Sequence, residues 1–325
     1  MIKRTLIRVD KVDNAMKNMV RFLNALWGHL TGKRLALSHE DDVDGIVSAA
    51  LYLVKYPDAV VVLANPQEIR DKPTCWFNWF TWSYVADLPC PRKAKLLVDH
   101  HKTNNPRAEK SFHDPTAVSA ASLAIKALSL TNNPIAEDLV KLANDSDSGK
   151  YQYEETLLLN DAIKGADYKG RIWLARALAR HGLRVLGDSK LKPWIARNRD
   201  RRRKMLKIAD QLKPSPVTIL AFQRDIDISY RSLCLELERR GAKKFCAILA
   251  PLKRGWRLYL GASRDSPYDC SILAVSLGGG GHKFAAGAQV RTMEEAINAI
   301  KKFLATKTLK VVLVRPDIKT EEKFF

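Results

Sequence analysis

The stretch Leu96-Leu97-Val98-Asp99-His100-His101 places three polar side chains directly after a short apolar run that begins at Ala94. The run is too short for a helix and predicts a buried β-strand. Open α/β sheets bind ligands at the carboxyl ends of their strands. Asp99 and His101 would share a face if the strand continued, whereas a turn after Val98 would let all three side chains converge. A capped strand end is the alternative, but both geometries suit a metal ion or a phosphate.

A second polar cluster, His39-Glu40-Asp41-Asp42-Val43-Asp44-Gly45, follows the predicted strand Arg34–Ser38 and precedes a predicted helix over Ile46–Tyr56. Four carboxylates this close would repel one another unless a cation neutralised them. Complementing the dipole of the following helix would explain one or two acids, but not four acids with a histidine. Oxygen and imidazole ligands without thiolates favour Mn²⁺, Mg²⁺, Zn²⁺ or Fe²⁺ over a structural zinc site.

Further acidic residues also follow predicted secondary structure. Asp87 comes directly after the short apolar run Tyr84-Val85-Ala86. Asp145 and Asp147 lie in Asn144–Gly149, which we interpret as a turn after a helix over Ile135–Ala143. Asp and Ser are common turn and cap residues, and here they would also close a metal site.

Two apolar segments precede the Asp99 motif. Apolar residues at three- and four-residue spacing predict an amphipathic helix that packs through its apolar face: Met16, Val20, Leu23, Leu26 and Trp27. Six aromatic residues then fall within Trp76–Tyr84. Such rings can stack on nucleobases, but no Arg or Lys lies between them, which favours core packing or a subunit contact.

Length and composition limit the classes of protein to which this chain can belong. The 325 residues exceed the usual size of one domain and predict two. With 46% hydrophobic and 28% charged residues, the chain is globular rather than disordered. Five cysteines without a C-x-x-C pair indicate reduced thiols. No stretch approaches the ~20 apolar residues of a membrane span, so we expect a soluble, cytoplasmic protein that does not bind membranes.

A net charge of +20 indicates polyanionic partners. More than half of it lies in residues 161–214, which hold 16 Lys and Arg against 5 Asp. A helix containing Arg197–Lys207 is predicted there, ending before Pro214 and Pro216. It would serve either as a stripe that faces phosphates or as a solvated linker helix.

The last third of the chain predicts a second domain. Val217–Phe222, Phe245–Leu249 and Trp256–Ala262 are predicted strands, and Ser229–Arg240 is a predicted helix. A helix over Ser271–Ser276 leads into Leu277–Gly281, followed by His282 and Lys283. Glycine amides approach an anion closely and the two basic residues add charge, so this run predicts an anion-binding loop. Ala285–Gly287 would pack tightly onto a strand over Ala288–Val290.

Together these motifs, in this order over about 250 residues, resemble the DHH phosphoesterase superfamily, with a second domain like its DHHA1 domain. Within it, the chain resembles the RecJ-like and oligoribonuclease-like branches. It implies an α/β fold in which a parallel-sheet DHH domain carries a two-metal centre and a smaller α/β DHHA1 domain closes a cleft over it. We place these domains at residues 1–190 and 215–325, with a basic helical linker at 191–214.

The resemblance also implies roles for individual residues. Asp87 would bridge two divalent ions, Mn²⁺ in first place and Mg²⁺ as the alternative, and His101 would meet the scissile phosphate while Asp99 orients His100. The metal ligands implied are His39, Asp42, Asp44, Asp87, His100 and Asp147. The residues implied to bind the substrate phosphate are Arg264, Gly279, Gly280, Gly281 and His282. Glu40 and Asp41 offer competing carboxylates, and Asp145 is an alternative to Asp147.

The function expected from this resemblance is that of an exonuclease. It would release nucleotides from single-stranded DNA or RNA by two-metal hydrolysis, with the ions about 3.5–4 Å apart. The alternative is a phosphoesterase of very short oligonucleotides, cyclic dinucleotides or a nucleotide bisphosphate. A non-catalytic scaffold that kept the fold is a third class of function. It is disfavoured because every position at which the resemblance implies a metal ligand holds a residue that can bind a metal ion. The sequence also allows a homo-oligomer.

Overall fold

The computed structural model describes the backbone of residues 2–102 and 104–325 and the side chains of residues 15–102 and 104–325. The chain divides into two units, Met1–Asn198 and Arg199–Phe325, each built around its own sheet. The boundary falls inside the helix Lys192–Asp210, which confirms the predicted basic helix and ends before Pro214 as expected. No helix in the described part of the chain combines the length and apolar character that a membrane span requires.

The first unit contains a five-stranded sheet in the order β2-β1-β3-β4-β5, with every pair parallel. Its strands are β1 (Leu35–His39), β2 (Val60–Ala64), β3 (Tyr84–Ala86), β4 (Leu96–Asp99) and β5 (Lys110–His113). The strands β1 to β4 are short apolar runs because helices or loops cover both faces of a parallel sheet. The neighbours β1, β3 and β4 end at the polar motifs, so these motifs meet at one edge. The predicted α/β class is confirmed.

The helices of this unit pack on its sheet or on one another, and the last of them continues into the second unit. They are α1 (Ile2–Leu30), α2 (Val43–Lys55), α3 (Ala120–Ala127), α4 (Pro134–Asp147), α5 (Glu154–Gly165), α6 (Tyr168–His181) and α7 (Lys192–Asp210). The helix α4 is longer than predicted, because Asp145 and Ser146 are buried and continue its packed face. Asn144–Asp147 are therefore helical rather than a turn, and Gly149, with φ +70°, follows the end of the helix.

The helix α1 confirms the predicted amphipathic helix, but its packing face is not the one expected. Arg21, Ala25 and Gly28 are buried, whereas Leu23 and Trp27 remain 51% and 53% exposed. The inner face is set by Arg21, which ion-pairs with Glu40 and Glu68. Residues 2–14 of this helix lie outside the described side chains.

The aromatic segment before Asp87 forms core, as its lack of interleaved basic residues predicted. Phe77, Phe80, Trp82 and Tyr84 are buried in the first unit. Trp82 also donates a hydrogen bond from Nε1 to the carbonyl of Phe77, at 2.7 Å. Trp76 is half-buried, and Trp79 is 57% exposed.

The second unit has a seven-stranded mixed sheet in the order β12-β11-β6-β7-β8-β10-β9. Its strands are β6 (Val217–Phe222), β7 (Phe245–Pro251), β8 (Trp256–Gly261), β9 (Gly280–His282), β10 (Ala285–Val290), β11 (Lys310–Val314) and β12 (Thr320–Phe324). Its remaining helices are α8 (Tyr230–Arg239), α9 (Cys270–Ser276) and α10 (Met293–Phe303). The predicted strands and helices of this unit are present, and the C-terminal hairpin β11–β12 adds to them.

The glycine run differs from its predicted form. Gly280–His282 form the strand β9, which pairs antiparallel with β10, and β10 already begins at Ala285. Gly281 has φ +140°, and a Cβ there would lie 2.4 Å from the Cα of Ala286. Close strand approach therefore requires glycine at this position, in addition to any role in anion binding.

Candidate metal centre

Acidic and histidine side chains from both predicted motifs meet at the carboxyl edge of the parallel sheet. They form three overlapping groups, each with ligand atoms within 4.8 Å of one another. These groups are His39 with Asp42 and Asp87; Asp87 with His100 and His101; and Asp44 with His100 and Asp147. Every predicted metal ligand therefore belongs to at least one group, and Asp87 and His100 each belong to two.

The loop between β1 and α2 holds two of the carboxylates in fixed positions. Asp42 caps α2 by accepting a hydrogen bond from the amide of Gly45, and its other oxygen lies 2.8 Å from Nδ1 of His39. Asp44 accepts hydrogen bonds from the backbone amides of Ala120 and Ala121, the first residues of α3, at 2.7 and 2.8 Å. Helix N-termini favour negative charge, which helps to keep this fully buried carboxylate in place.

Gly45 allows this loop to close. A Cβ at Gly45 would lie 2.3 Å from the carbonyl oxygen of His39. The hydroxyl of Ser38 also donates to the carbonyl of Gly45, at 2.6 Å. The end of β1 and the start of α2 are thus held together, which brings His39 and Asp42 within contact distance.

Asp87 lies between the groups. Its Oδ2 is 3.1 Å from Nδ1 of His39, and its Oδ1 is 3.3 Å from Nδ1 of His101 and 3.7 Å from Nε2 of His100. The carboxylate is buried, and Oδ1 has no hydrogen-bond partner among the described residues. Its φ of +54° lies in the left-handed region, where Asp and Asn are tolerated better than most residues. This arrangement suits a carboxylate that binds two cations.

The chain turns immediately after β4, so the side chains of His100 and His101 point towards different partners. Nε2 of His100 lies 3.3 Å from Asp147 and 3.7 Å from Asp44, whereas Nδ1 of His101 lies 3.0 Å from Asp99. The expectation that Asp99 orients His100 is therefore wrong. The polar group near Nδ1 of His100 is the carbonyl of Ala117, at 3.3 Å.

The structure also separates the competing carboxylates from the cluster. Glu40 forms ion pairs with Lys17 and Arg21, and Asp41 with Arg171. Asp145 accepts the amides of Gln152 and Tyr153, at 2.9 and 3.2 Å, and so fixes the turn into α5. None of these three belongs to the ligand groups found among the described residues. Asp147 and His39 are the residues that the fold brings into the cluster.

The histidines of the cluster carry strongly shifted pKa values. Burial lowers the pKa of His39, but the carboxylates of Asp42 and Asp87 outweigh it and raise the pKa to about 11. For His100, Asp87 is the main cause, and together with Asp44 it raises the pKa to about 9 against the effect of burial. Without a metal ion, the histidines therefore supply positive charge.

The pKa values of the carboxylates are also shifted by burial and by the neighbouring charges. Burial raises the pKa of Asp147 to about 7, and the charges of Asp42 and Asp87 add to the shift. Burial also raises the pKa of Asp44 well above its usual range, and Asp87 and Asp147 raise it further. Like charges at this distance cannot all stay ionised without a cation. The buried, unpartnered oxygen of Asp87 and this donor set therefore fit divalent ions bound through oxygen and imidazole.

We expect Mn²⁺ to bind more tightly as the pH rises from 6.5 to 8.5. His100 and Asp147, with pKa values of about 9 and about 7, must lose their protons to act as ligands. Each proton released should increase the apparent affinity by about tenfold per pH unit in the range where the group is still protonated. Titration calorimetry in buffers of different ionisation enthalpy measures both quantities. A pH-independent affinity without proton release would exclude His100 as a ligand.

The predicted substrate-binding residues all lie in the second unit. Arg264 and His282 are exposed. Gly261, at the end of β8, and His282 both pair with Ala285 of β10, so the ends of β8 and β9 lie at one edge of this sheet. Arg264 follows β8 by three residues. A Cβ at Gly279 would lie 2.2 Å from the carbonyl oxygen of Gly287, whereas Gly280 has open space on its Cβ side.

Comparison with known proteins establishes the fold. No protein-family model matches the chain, and no curated protein matches its sequence. The pGpG-specific phosphodiesterase PggH from Vibrio cholerae is 20% identical, with a TM-score of 0.62 over 84% of this chain and 98% of that one. Exonuclease RecJ bound to manganese is 14% identical, with a TM-score of 0.53 over 87% and 93%. The DHH domain of a member of a family of ribosomal proteins is 14% identical, with a TM-score of 0.51 over 90% and 92%.

These similarities confirm the resemblance inferred from the sequence motifs. The chain has the fold of the DHH-domain proteins. At identities of 20% or less, the similarity extends to the fold, and the residues of the metal centre carry the argument for function.

Proposed function

We propose that this protein is a divalent-metal-dependent phosphodiesterase that removes nucleotides from an end of single-stranded nucleic acid. The observation that supports this most directly is the set of overlapping ligand groups joined by Asp87 and His100 at the carboxyl edge of the sheet. Three overlapping groups that share Asp87 and His100 suit two ions better than one. RecJ, whose fold is similar, is an exonuclease with bound manganese.

His39, Asp42 and Asp87 would hold one ion, and Asp44, His100 and Asp147 would hold the other. Carboxylate and imidazole ligands suit Mn²⁺, with Mg²⁺ as the alternative. Bound ions of this kind lower the pKa of an attacking water and stabilise the leaving oxygen in phosphoryl transfer.

His101 would contact the scissile phosphate. Its side chain is 49% exposed, and its Nδ1 faces the buried carboxylate of Asp99. The hydrogen bond with Asp99 raises the pKa of His101 against the effect of burial. A protonated ring held in this way can donate a hydrogen bond to a phosphate oxygen. In the second unit, Arg264, Gly279, Gly280, Gly281 and His282 would bind a second phosphate of the substrate.

The basic helix α7 would bind the backbone of longer strands. On this helix, Arg201 forms an ion pair with Asp227, and Arg203 and Lys204 form ion pairs with Asp200. One side of the helix borders a cavity of about 340 Å³. The residues that line it are Arg199, Arg202, Arg203, Leu206, Lys207 and Asp210.

Replacing Arg199, Arg202 and Lys207 by Ala should weaken the binding of long single strands and flatten its salt dependence. For single strands, the slope of log K against log salt falls by about 0.7 for each phosphate that the protein no longer neutralises. Hydrolysis of a dinucleotide should change less than twofold. A triple substitution to Ala of Lys301, Lys302 and Lys307 in the same unit removes the same charge and serves as the control. Equal losses in both triple variants would assign the effect to net charge alone.

Digestion of 5′- and 3′-labelled DNA and RNA strands tests the proposed activity. We expect release of mononucleotides in the presence of Mn²⁺ or Mg²⁺ and none in the presence of EDTA. The absence of release with any divalent metal ion would contradict the proposal. The end from which the label is released first also gives the polarity.

A phosphoesterase of very short substrates is the second candidate. It is favoured by the similarity to the pGpG-specific phosphodiesterase, of which this chain covers 98%. A series of substrates from two to about twenty nucleotides separates the two candidates. Activity confined to two to four nucleotides would replace the exonuclease proposal by this one.

A further inference from the structure

The outer face of α1 is apolar and is not covered by the described residues of its own unit. Five large apolar side chains along it are about half exposed or more: Met16 (49%), Met19 (56%), Leu23 (51%), Trp27 (53%) and Leu30 (74%). The opposite face holds Arg21, Ala25 and Gly28, which are buried against the sheet. An apolar helical face of this size in water is unfavourable and marks an interaction surface.

The apolar residues of this helix recur every 3.5 residues rather than every 3.6. In a heptad written abcdefg, the first (a) positions hold Ile2, Val9, Met16, Leu23 and Leu30, and the fourth (d) positions hold Thr5, Val12, Met19 and Leu26. Eight of these nine residues are apolar. A strict seven-residue repeat sustained over four heptads is typical of a helix that packs against another helix in a coiled coil.

The fold leaves this seam available for a partner. Arg21 and Gly28 occupy f positions, which lie opposite the seam, and both face the sheet of the first unit. At Gly28, a Cβ would lie 2.6 Å from the side chain of Leu35, so the helix is held close to β1 on that side. Among the described seam residues, Met16, Met19, Leu23 and Leu30 therefore point away from the sheet, whereas Leu26 is half-buried against the core of the first unit. Trp79 extends the apolar surface, because its ring lies beside Phe22 with centroids 6.0 Å apart.

We propose that α1 pairs with α1 of a second copy of this chain as a parallel, in-register coiled coil. In such a pair, a g residue of one helix faces the e residue of the following heptad on the other. Arg8 is in a g position and Asp13 is in the e position of the following heptad, and the other e and g positions carry no Asp, Glu, Lys or Arg. The pair would thus contain two such contacts, each between position 8 of one copy (Arg8) and position 13 of the other (Asp13). The whole helix spans about 43 Å.

Mass measurement by light scattering during gel filtration tests this pairing without reference to the reaction. We expect the wild-type chain to have twice the 36.6 kDa of one copy. Leu23→Asp places a charge in the seam and should give a single copy. Asn24→Asp adds the same charge one residue away, at an exposed b position, and should stay paired. Circular dichroism and the melting temperature of both variants report whether the fold is retained.

A cysteine at a seam position tests the register. In a parallel, in-register pair, the two copies of residue 16 are neighbours, so Met16→Cys should form a disulfide between copies on mild oxidation, whereas Asn24→Cys should not. The wild-type chain is the background control, because four of its five cysteines are buried. A wild-type chain of single mass would overturn the proposal, and binding of that chain to lipid vesicles would assign the face to a membrane instead. A paired Leu23→Asp variant or an unlinked Met16→Cys variant would also overturn it.

Discussion

Asp87→Asn should reduce phosphodiester hydrolysis by about 10²-fold or more while leaving the fold intact. Asp87 is the carboxylate that contacts both sides of the cluster, with one oxygen near His39 and the other near His100 and His101. Loss of a direct ligand costs at least as much as the 10- to 100-fold typical of residues that support one. Asn suits the left-handed backbone at φ +54°, whereas Ala would add strain there.

The same substitution should have little effect on the stability of the metal-free protein. It relieves repulsion with Asp44 and Asp147 but also removes the attraction to the protonated His39 and His100, so the melting temperature in EDTA should stay close to that of the wild type. The increase in melting temperature caused by Mn²⁺ should be lost at the same time. Asp138→Asn, an exposed carboxylate on the same helix as Asp147, is the matched control and should keep both properties. An Asp87→Asn variant with a near-normal rate would remove Asp87 from the site, and His100→Ala then tests the rest of the cluster.

Arg21→Met should destabilise the first unit by about 3–5 kcal/mol, the range measured when one partner of a buried ion pair is removed. Arg21 is fully buried and donates to Glu40 at 2.6 Å and to Glu68 at 2.7 Å. Glu40 is also buried, with 1% of its side chain exposed. Without Arg21, the partners left to the Glu40 carboxylate among the described residues are Lys17 and the side-chain amide of Asn65.

Urea unfolding of the variants measures this effect. Arg92→Met breaks an exposed ion pair with Asp71 and should change the free energy of unfolding by about 1 kcal/mol or less. The double variant Arg21→Met with Glu40→Gln should recover part of the loss, because it no longer leaves an unpaired buried charge. Equal losses in Arg21→Met and Arg92→Met would show that the buried pair contributes no more than a surface one.

Most of the residues in the cluster could be predicted, because residues that directly follow the strands of a parallel sheet meet at one edge of that sheet. His39, Asp87 and His100 each follow a short apolar run, and parallel strands bring the residues after them to one edge. The residue types then indicate a cation, because clustered carboxylates need one. This reasoning requires no contact between side chains, so it works from the sequence alone.

The sequence did not decide which of several neighbouring acidic residues points into the cluster. Glu40 and Asp41 lie beside Asp42, and Asp145 lies beside Asp147, yet each of the three turns to a different partner. Asp99 likewise faces His101 rather than His100. For Glu40 and Asp41, the direction depends on groups distant in the chain, Arg21 and Arg171.

The sequence by itself determined the α/β fold, the strand ends that carry the clustered acidic and histidine residues, and the basic helix at the boundary of the two units. The tertiary structure decided which carboxylates face one another and which side of α1 packs inward. The physical reason is that periodicity records where apolar residues recur, whereas a buried charge goes where its counter-charge lies. In α1, Arg21 faces inward to its ion pair with Glu40, whereas Met16, Leu23 and Trp27 of the apolar pattern face outward.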